Sequence, residues 1–107
     1  MQVKSMAETN RRLASLKKQI VRIGPVMRGS VVMLGSKCGN PRCRCTRGKK
    51  HQQYYFSVTK EGKTKLIFLG NTRFDIATQY ANNYRKLIDL AEKMSDINRE
   101  IVKNLKP

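Results

Sequence analysis

Met6, Leu13, Leu16, Ile20 and Ile23 recur at intervals of three, four and seven, with polar and charged residues between them. On a 3.6-residue repeat these positions form one narrow apolar stripe, which predicts an amphipathic helix over residues 6–23. Ser5 and Glu8 have the spacing of a capping box at its start, and Gly24-Pro25 stops it. The rhythm then changes. Val31, Val32, Met33 and Leu34 make a short apolar run between Gly29 and Gly35, suited to a strand. After a polar segment, residues 53–59 read as a second strand, Lys60-Glu61-Gly62-Lys63 as a turn, and residues 64–69 as a third strand closing a hairpin. From residue 72 the helical period returns. Tyr80, Leu87, Leu90, Met94, Ile97 and Ile101 fit a heptad seam, and Asp89/Lys93 and Asp96/Glu100 with Arg99/Lys103 stand at helical pairing spacing as solvated pairs.

These elements predict an α+β protein with a single domain over 1–107. A small three-stranded antiparallel β-element at 28–70 carries a Cys/His loop, zinc-ribbon-like. It is flanked by the helix at 6–23 and a long helix at 72–105, the two helices forming a coiled-coil-like hairpin. The longer helix outlasts the shorter, so part of its seam needs another surface. A second copy of the chain, joined through the C-terminal helix, is the simplest supply; the chain's own β-element is the alternative.

Charge narrows the range of partners. The chain carries 23 Lys and Arg against 7 Asp and Glu, a net +16. Residues 1–74 hold 17 basic and 2 acidic side chains, whereas residues 75–107 hold 6 and 5, so the excess is concentrated before the long helix. A fold with so much like charge repels itself unless a polyanion is its usual neighbour. Between Arg28 and Lys50 there are seven basic residues (Arg28, Lys37, Arg42, Arg44, Arg47, Lys49, Lys50) and no acidic one. Lys60, Lys63 and Lys65 continue the same sign along the hairpin. Side chains of this kind neutralise phosphates and release counterions. Tyr54, Tyr55 and Phe56 alternate across a strand, so one aromatic faces away from the other two. Tyr55 is the candidate for stacking on unpaired bases, and core packing against the helices is the expectation for the others.

Cys38, Cys43, Cys45 and the single histidine, His51, fall in the pattern Cys-x4-Cys-x-Cys-x5-His. Structural zinc takes four such ligands in a tetrahedron, and the cations around them favour thiolates. Zinc is therefore the expected cofactor. Metal-free thiols and redox-sensing thiols are the other two readings. Three clustered cysteines, no leader-like segment and no apolar run near the roughly 20 residues that span a bilayer point to a cytoplasmic, reduced setting without membrane association.

Catalysis fits poorly. Two-metal chemistry needs clustered carboxylates, and residues 1–74 offer only Glu8 and Glu61. A Cys–His nucleophile pair has no carboxylate nearby to orient it. The expected function is non-enzymatic binding of RNA or DNA, alone or within a larger ribonucleoprotein. The competing expectation is a helical adaptor or inhibitor that docks on an acidic partner protein.

Gly29, Ser30, Cys38, Gly39, Pro41, Cys43, Cys45, His51, Tyr54 and Tyr55 together resemble the signature of a family of small prokaryotic proteins encoded near mobile elements and phages. That signature runs Gly-Ser, Cys-Gly-x-Pro-x-Cys-x-Cys, then His and Tyr-Tyr before a basic hairpin and a charged helix. Here Gln52-Gln53 replaces its Gly-Pro. The resemblance implies a mobile-element or phage setting and brings no activity with it.

Overall fold

The computed structural model describes residues 6–36 and 51–107. In chain order it contains α1 (Met6–Val21), β1 (Ser30–Ser36), β2 (His51–Lys60), β3 (Lys63–Phe68) and α2 (Phe74–Lys103). This is the α+β arrangement expected, with the three strands between two helices. The chain folds as two compact units. One is Val26–Asn82; the other joins Met1–Pro25 to Asn83–Pro107. Helix α2 contributes to both.

In the Val26–Asn82 unit the strands form one antiparallel sheet in the order β1-β2-β3. Partners across the ladders include Val31 with Phe56 and Phe56 with Ile67. Side chains alternate along a strand, and directly paired residues share a face. Val31, Tyr54, Phe56 and Val58 therefore stand on one face, and it is this face that packs onto the start of α2. Phe56 is 1% exposed and forms the core with Leu69, Ala77 and Ala81, with Met27, Val31, Tyr54 and Val58 around it. Ala77 and Ala81 are one helical turn apart, so they give α2 a flat strip on which the Phe56 ring can lie. Burying that ring contributes about 1.5–3 kcal/mol. Tyr54 adds a tilted contact with Phe74 at 4.3 Å between ring centroids. The Met27 N–H donates to the Tyr80 carbonyl at 3.1 Å and ties the entry to β1 onto the helix.

Two turns fix this unit. Glu61 and Gly62 have φ of 54° and 76°, both left-handed, as a two-residue turn of the I′ type requires between right-twisted strands. Gly29 has φ 143°, and a Cβ built there would lie 2.5 Å from the Phe56 ring and 2.7 Å from the Ser57 carbonyl. Only glycine allows β1 to start this close to β2.

In the other unit, α1 and the C-terminal part of α2 run antiparallel. Arg12, Ser15 and Leu16 line one groove with Lys93, Asp96 and Ile97, while Gln19, Arg22 and Ile23 line another with Lys86, Asp89 and Leu90. The Asn83 Nδ2 donates to the Pro25 carbonyl at 3.0 Å. No residue of α1 is buried, and in the part of α2 from Asn83 onward Leu90 alone is. Leu13, Leu16, Ile20, Ile23, Leu87, Met94, Ile97 and Ile101 are half-buried, and Met6 is exposed.

The helices are shorter than their sequence period suggests. Helix α1 ends at Val21 rather than 23 because the Ile23 N–H donates to the Ile20 carbonyl in a tighter last turn before Gly24-Pro25. Helix α2 spans Phe74–Lys103 rather than 72–105. Its first intrahelical bond runs from the Ala77 N–H to the Arg73 carbonyl, which makes Arg73 the capping position. The expected capping serine, Ser5, lies outside the described residues.

Candidate nucleic-acid interface

Alternation gives the sheet a second face, opposite α2. Val32 and Leu34 on β1, Gln53, Tyr55 and Ser57 on β2, and Thr64, Leu66 and Phe68 on β3 stand there. Leu34, Leu66 and Phe68 are exposed, while Val32 and Tyr55 are half-buried. Tyr55 meets Phe68, its direct cross-strand partner, edge to face at 5.6 Å between ring centroids and 66° between ring planes. The Thr59 and Thr64 hydroxyls hydrogen bond to each other at 3.0 Å near the turn. None of these strand side chains is charged.

The hairpin lysines are placed elsewhere. Lys60 pairs with Lys63, and Lys65 with Val58, so alternation sets all three on the face that carries Phe56. They stand beyond the core, toward the Glu61-Gly62 turn, and are exposed. Arg28 joins them through its side chain, whose Nη2 donates to the Thr59 carbonyl at 2.8 Å. The expected basic aromatic surface is thus resolved into a cationic turn end and a neutral face that holds Tyr55. The lysines and Tyr55 share a hairpin and do not share a face.

The rest of the predicted site falls outside the described residues: Lys37, Cys38, Arg42, Cys43, Arg44, Cys45, Arg47, Lys49 and Lys50. Of the proposed metal ligands, only the His51 backbone is described. It opens β2 and pairs with Ser36, the last residue of β1. The segment between them therefore leaves and returns at neighbouring backbone positions, at the end of the sheet opposite the Glu61-Gly62 turn. Among the described residues there is no cluster of three or more His, Cys, Asp or Glu able to hold a metal ion. Nor is any helix there long and apolar enough to cross a membrane.

Phe68, Leu66 and Leu34 were not singled out by sequence. Residues 66–69 form the continuous run Leu-Ile-Phe-Leu, which has no period of two to assign a face. The parity of Tyr55 with Phe68 becomes visible only through the β2–β3 register.

No curated protein and no solved structure matches the chain. A family model does, over residues 6–75, a span that takes in α1, the whole sheet and the first two residues of α2. The chain accordingly belongs to the DUF6788 family, a domain of unknown function.

Proposed function

We propose that the chain is a nucleic-acid-binding protein, not an enzyme, that engages phosphates through its basic β-element. One observation carries this reading: residues 1–74 hold 17 basic and 2 acidic side chains, and residues 75–107 hold 6 and 5. Arg28, Lys60, Lys63 and Lys65 meet at the turn end of the sheet, and six more cations occupy the segment that departs from its other end. Zinc held by Cys38, Cys43, Cys45 and His51 belongs to the same proposal. The Ser36–His51 pairing supports it, because it closes the segment containing the cysteines against the strand that begins with the histidine. A cytoplasmic place and a mobile-element or phage setting complete the reading. The half-open seam of the helical unit favours a second copy of the chain as a further partner.

The test is affinity for duplex DNA, structured RNA and single strands across a range of salt. The logarithm of affinity should fall linearly with that of salt, by about 0.7–0.9 per neutralised phosphate. Replacing Arg42, Arg44 and Arg47 together with Gln should flatten the slope by up to about 2–3 units and weaken all ligands alike, because phosphate contacts carry no direct sequence information. Replacing Arg99 and Lys103 should change little. If the helix variant lost affinity and slope while the loop variant kept both, the proposal would fall. Binding to an acidic protein with no salt-dependent affinity for nucleic acid would identify an adaptor instead.

A further inference from the structure

We infer that a second copy of the chain packs antiparallel along α2, on Ile88, Ala91, Ser95, Asn98, Val102 and Leu105. This rests on the second copy proposed above as a partner and says where that copy sits. The seam of Leu87, Leu90, Met94, Ile97 and Ile101 is buried or half-buried in the unit that α2 forms with α1. One residue further on, about 100° around the helix, the six positions repeat the same spacing of three and four. All six are exposed, with Ile88 at 44%, Val102 at 67% and Leu105 at 63%. Leu105 prolongs the stripe past Lys103, its N–H donating to the Val102 carbonyl at 3.1 Å. Ala91, Met94, Ser95, Asn98, Arg99 and Val102 line a shallow hollow midway along it. A sustained spacing of three and four is the pattern by which one helix seats another.

The order of side chains and the charges beside them select a reversed second copy. About a two-fold axis between Asp96 and Ile97, Ile88 meets Leu105 of the second copy, Ala91 meets Val102, and Ser95 meets Asn98. The outer layers are then apolar on both sides, small Ala91 makes room for branched Val102, and the two polar residues share the centre. A polar layer within an apolar seam fixes its register. Glu92 and Arg99 each follow a stripe position, Ala91 and Asn98, and so border the same side of it. The Arg99 Nη2 donates to the Ser95 Oγ at 3.2 Å and its Nη1 to the Asp96 carboxylate at 3.0 Å, which holds the guanidinium beside the stripe. Antiparallel pairing brings Glu92 of each copy to Arg99 of the other, twice by symmetry, whereas a parallel pair would set them against Leu87 and Met94. Net charge points to the same surface. Residues 75–107 hold 6 basic and 5 acidic side chains, so two +16 chains meet along α2 with the least repulsion.

The experiment is sedimentation of the full chain over a range of concentrations, with helical content followed by circular dichroism. The wild type should self-associate. Ile88→Glu and Val102→Glu should each weaken association about ten-fold or more, although both lower the net positive charge, because a carboxylate would be desolvated in an apolar layer. Helical content should hold in both, since the two positions are exposed in the single chain. Glu92→Arg and Arg99→Glu should each weaken association about ten-fold, and the double swap should restore it, because opposite signs again face each other. The swaps replace exposed side chains and decide the matter even if a Glu variant lost helix. A monomeric wild type would overturn the second copy and this face together. Undiminished association in the Glu variants and the single swaps would overturn this face and leave the second copy standing. A double swap no tighter than the single ones would overturn the antiparallel order. Loss of association in Phe68→Glu, with the α2 variants unaffected, would move the interface to the sheet. Salt-dependent affinity for nucleic acid is read separately, so the proposed function stands or falls on its own test.

Discussion

Gly29, Glu61 and Thr78 each concentrate a different physical cost in one residue. At Gly29 the cost is steric, since any Cβ meets the Phe56 ring and the Ser57 carbonyl inside contact distance. Gly29→Ala should therefore destabilise the fold by about 2–4 kcal/mol, more than overpacking alone, because the left-handed φ adds strain. Urea denaturation checks this, and an unchanged midpoint would contradict the close packing. Glu61 sits in the left-handed region where Asn is better tolerated. Glu61→Asn should stabilise by about 0.5–1 kcal/mol, seen as a higher Tm, given the roughly 1 kcal/mol that left-handed geometry costs an ordinary residue. Among the described residues the buried Thr78 Oγ1 has no hydrogen-bond partner. Thr78→Val keeps the shape and removes the stranded hydroxyl, so it should raise stability by about 1 kcal/mol. A loss in its place would mean that the hydroxyl has a role in the fold.

The two helices have the stripes their sequence predicts, yet each buries little of them. Two helices alone cover only one side of a seam, and here α1 contributes no fully buried residue and the part of α2 from Asn83 onward only Leu90. The exposed ion pairs Lys93–Asp89 at 3.1 Å and Arg99–Asp96 at 3.0 Å do not make up for this, because solvent-exposed pairs contribute about 0–1 kcal/mol. Covering the seam is worth more, at about 1.5–3 kcal/mol for each large apolar side chain fully buried. Sedimentation should accordingly show the wild type self-associated and the Met94→Asp/Ile97→Asp variant monomeric, since a carboxylate in an apolar seam is costly to desolvate. A monomeric wild type would contradict association through α2.

For the molecule as a whole, a net charge of +16 opposes compaction by self-repulsion, and a small core among the described residues leaves a metal much to contribute. Metal analysis of freshly purified protein should find about one zinc per chain for a four-ligand site. Cys43→Ser should lower the zinc content and the affinity for nucleic acid together. Metal-free protein with three freely titratable thiols would remove zinc from the account.

Periodicity along the chain determined the number, order and type of the elements, because a stripe at 3.6 residues or an alternation at two is a local property of the residues that carry it. The Lys60–Lys63 turn and the charge asymmetry were legible for the same reason. The faces were not. The Leu-Ile-Phe-Leu run at 66–69 has no intrinsic inside, and pairing with β2 alone sends Ile67 toward the Phe56 side and Phe68 away from it. The same register separates Lys60, Lys63 and Lys65 from Tyr55, a division invisible when they are read as one basic hairpin. Gly29 likewise looks like an ordinary strand boundary until a ring from a residue 27 positions later lies against it. What depended on neighbours in sequence could be read from the sequence; what depended on neighbours across the sheet was decided by the tertiary structure, because register is set by contacts between residues far apart in the chain.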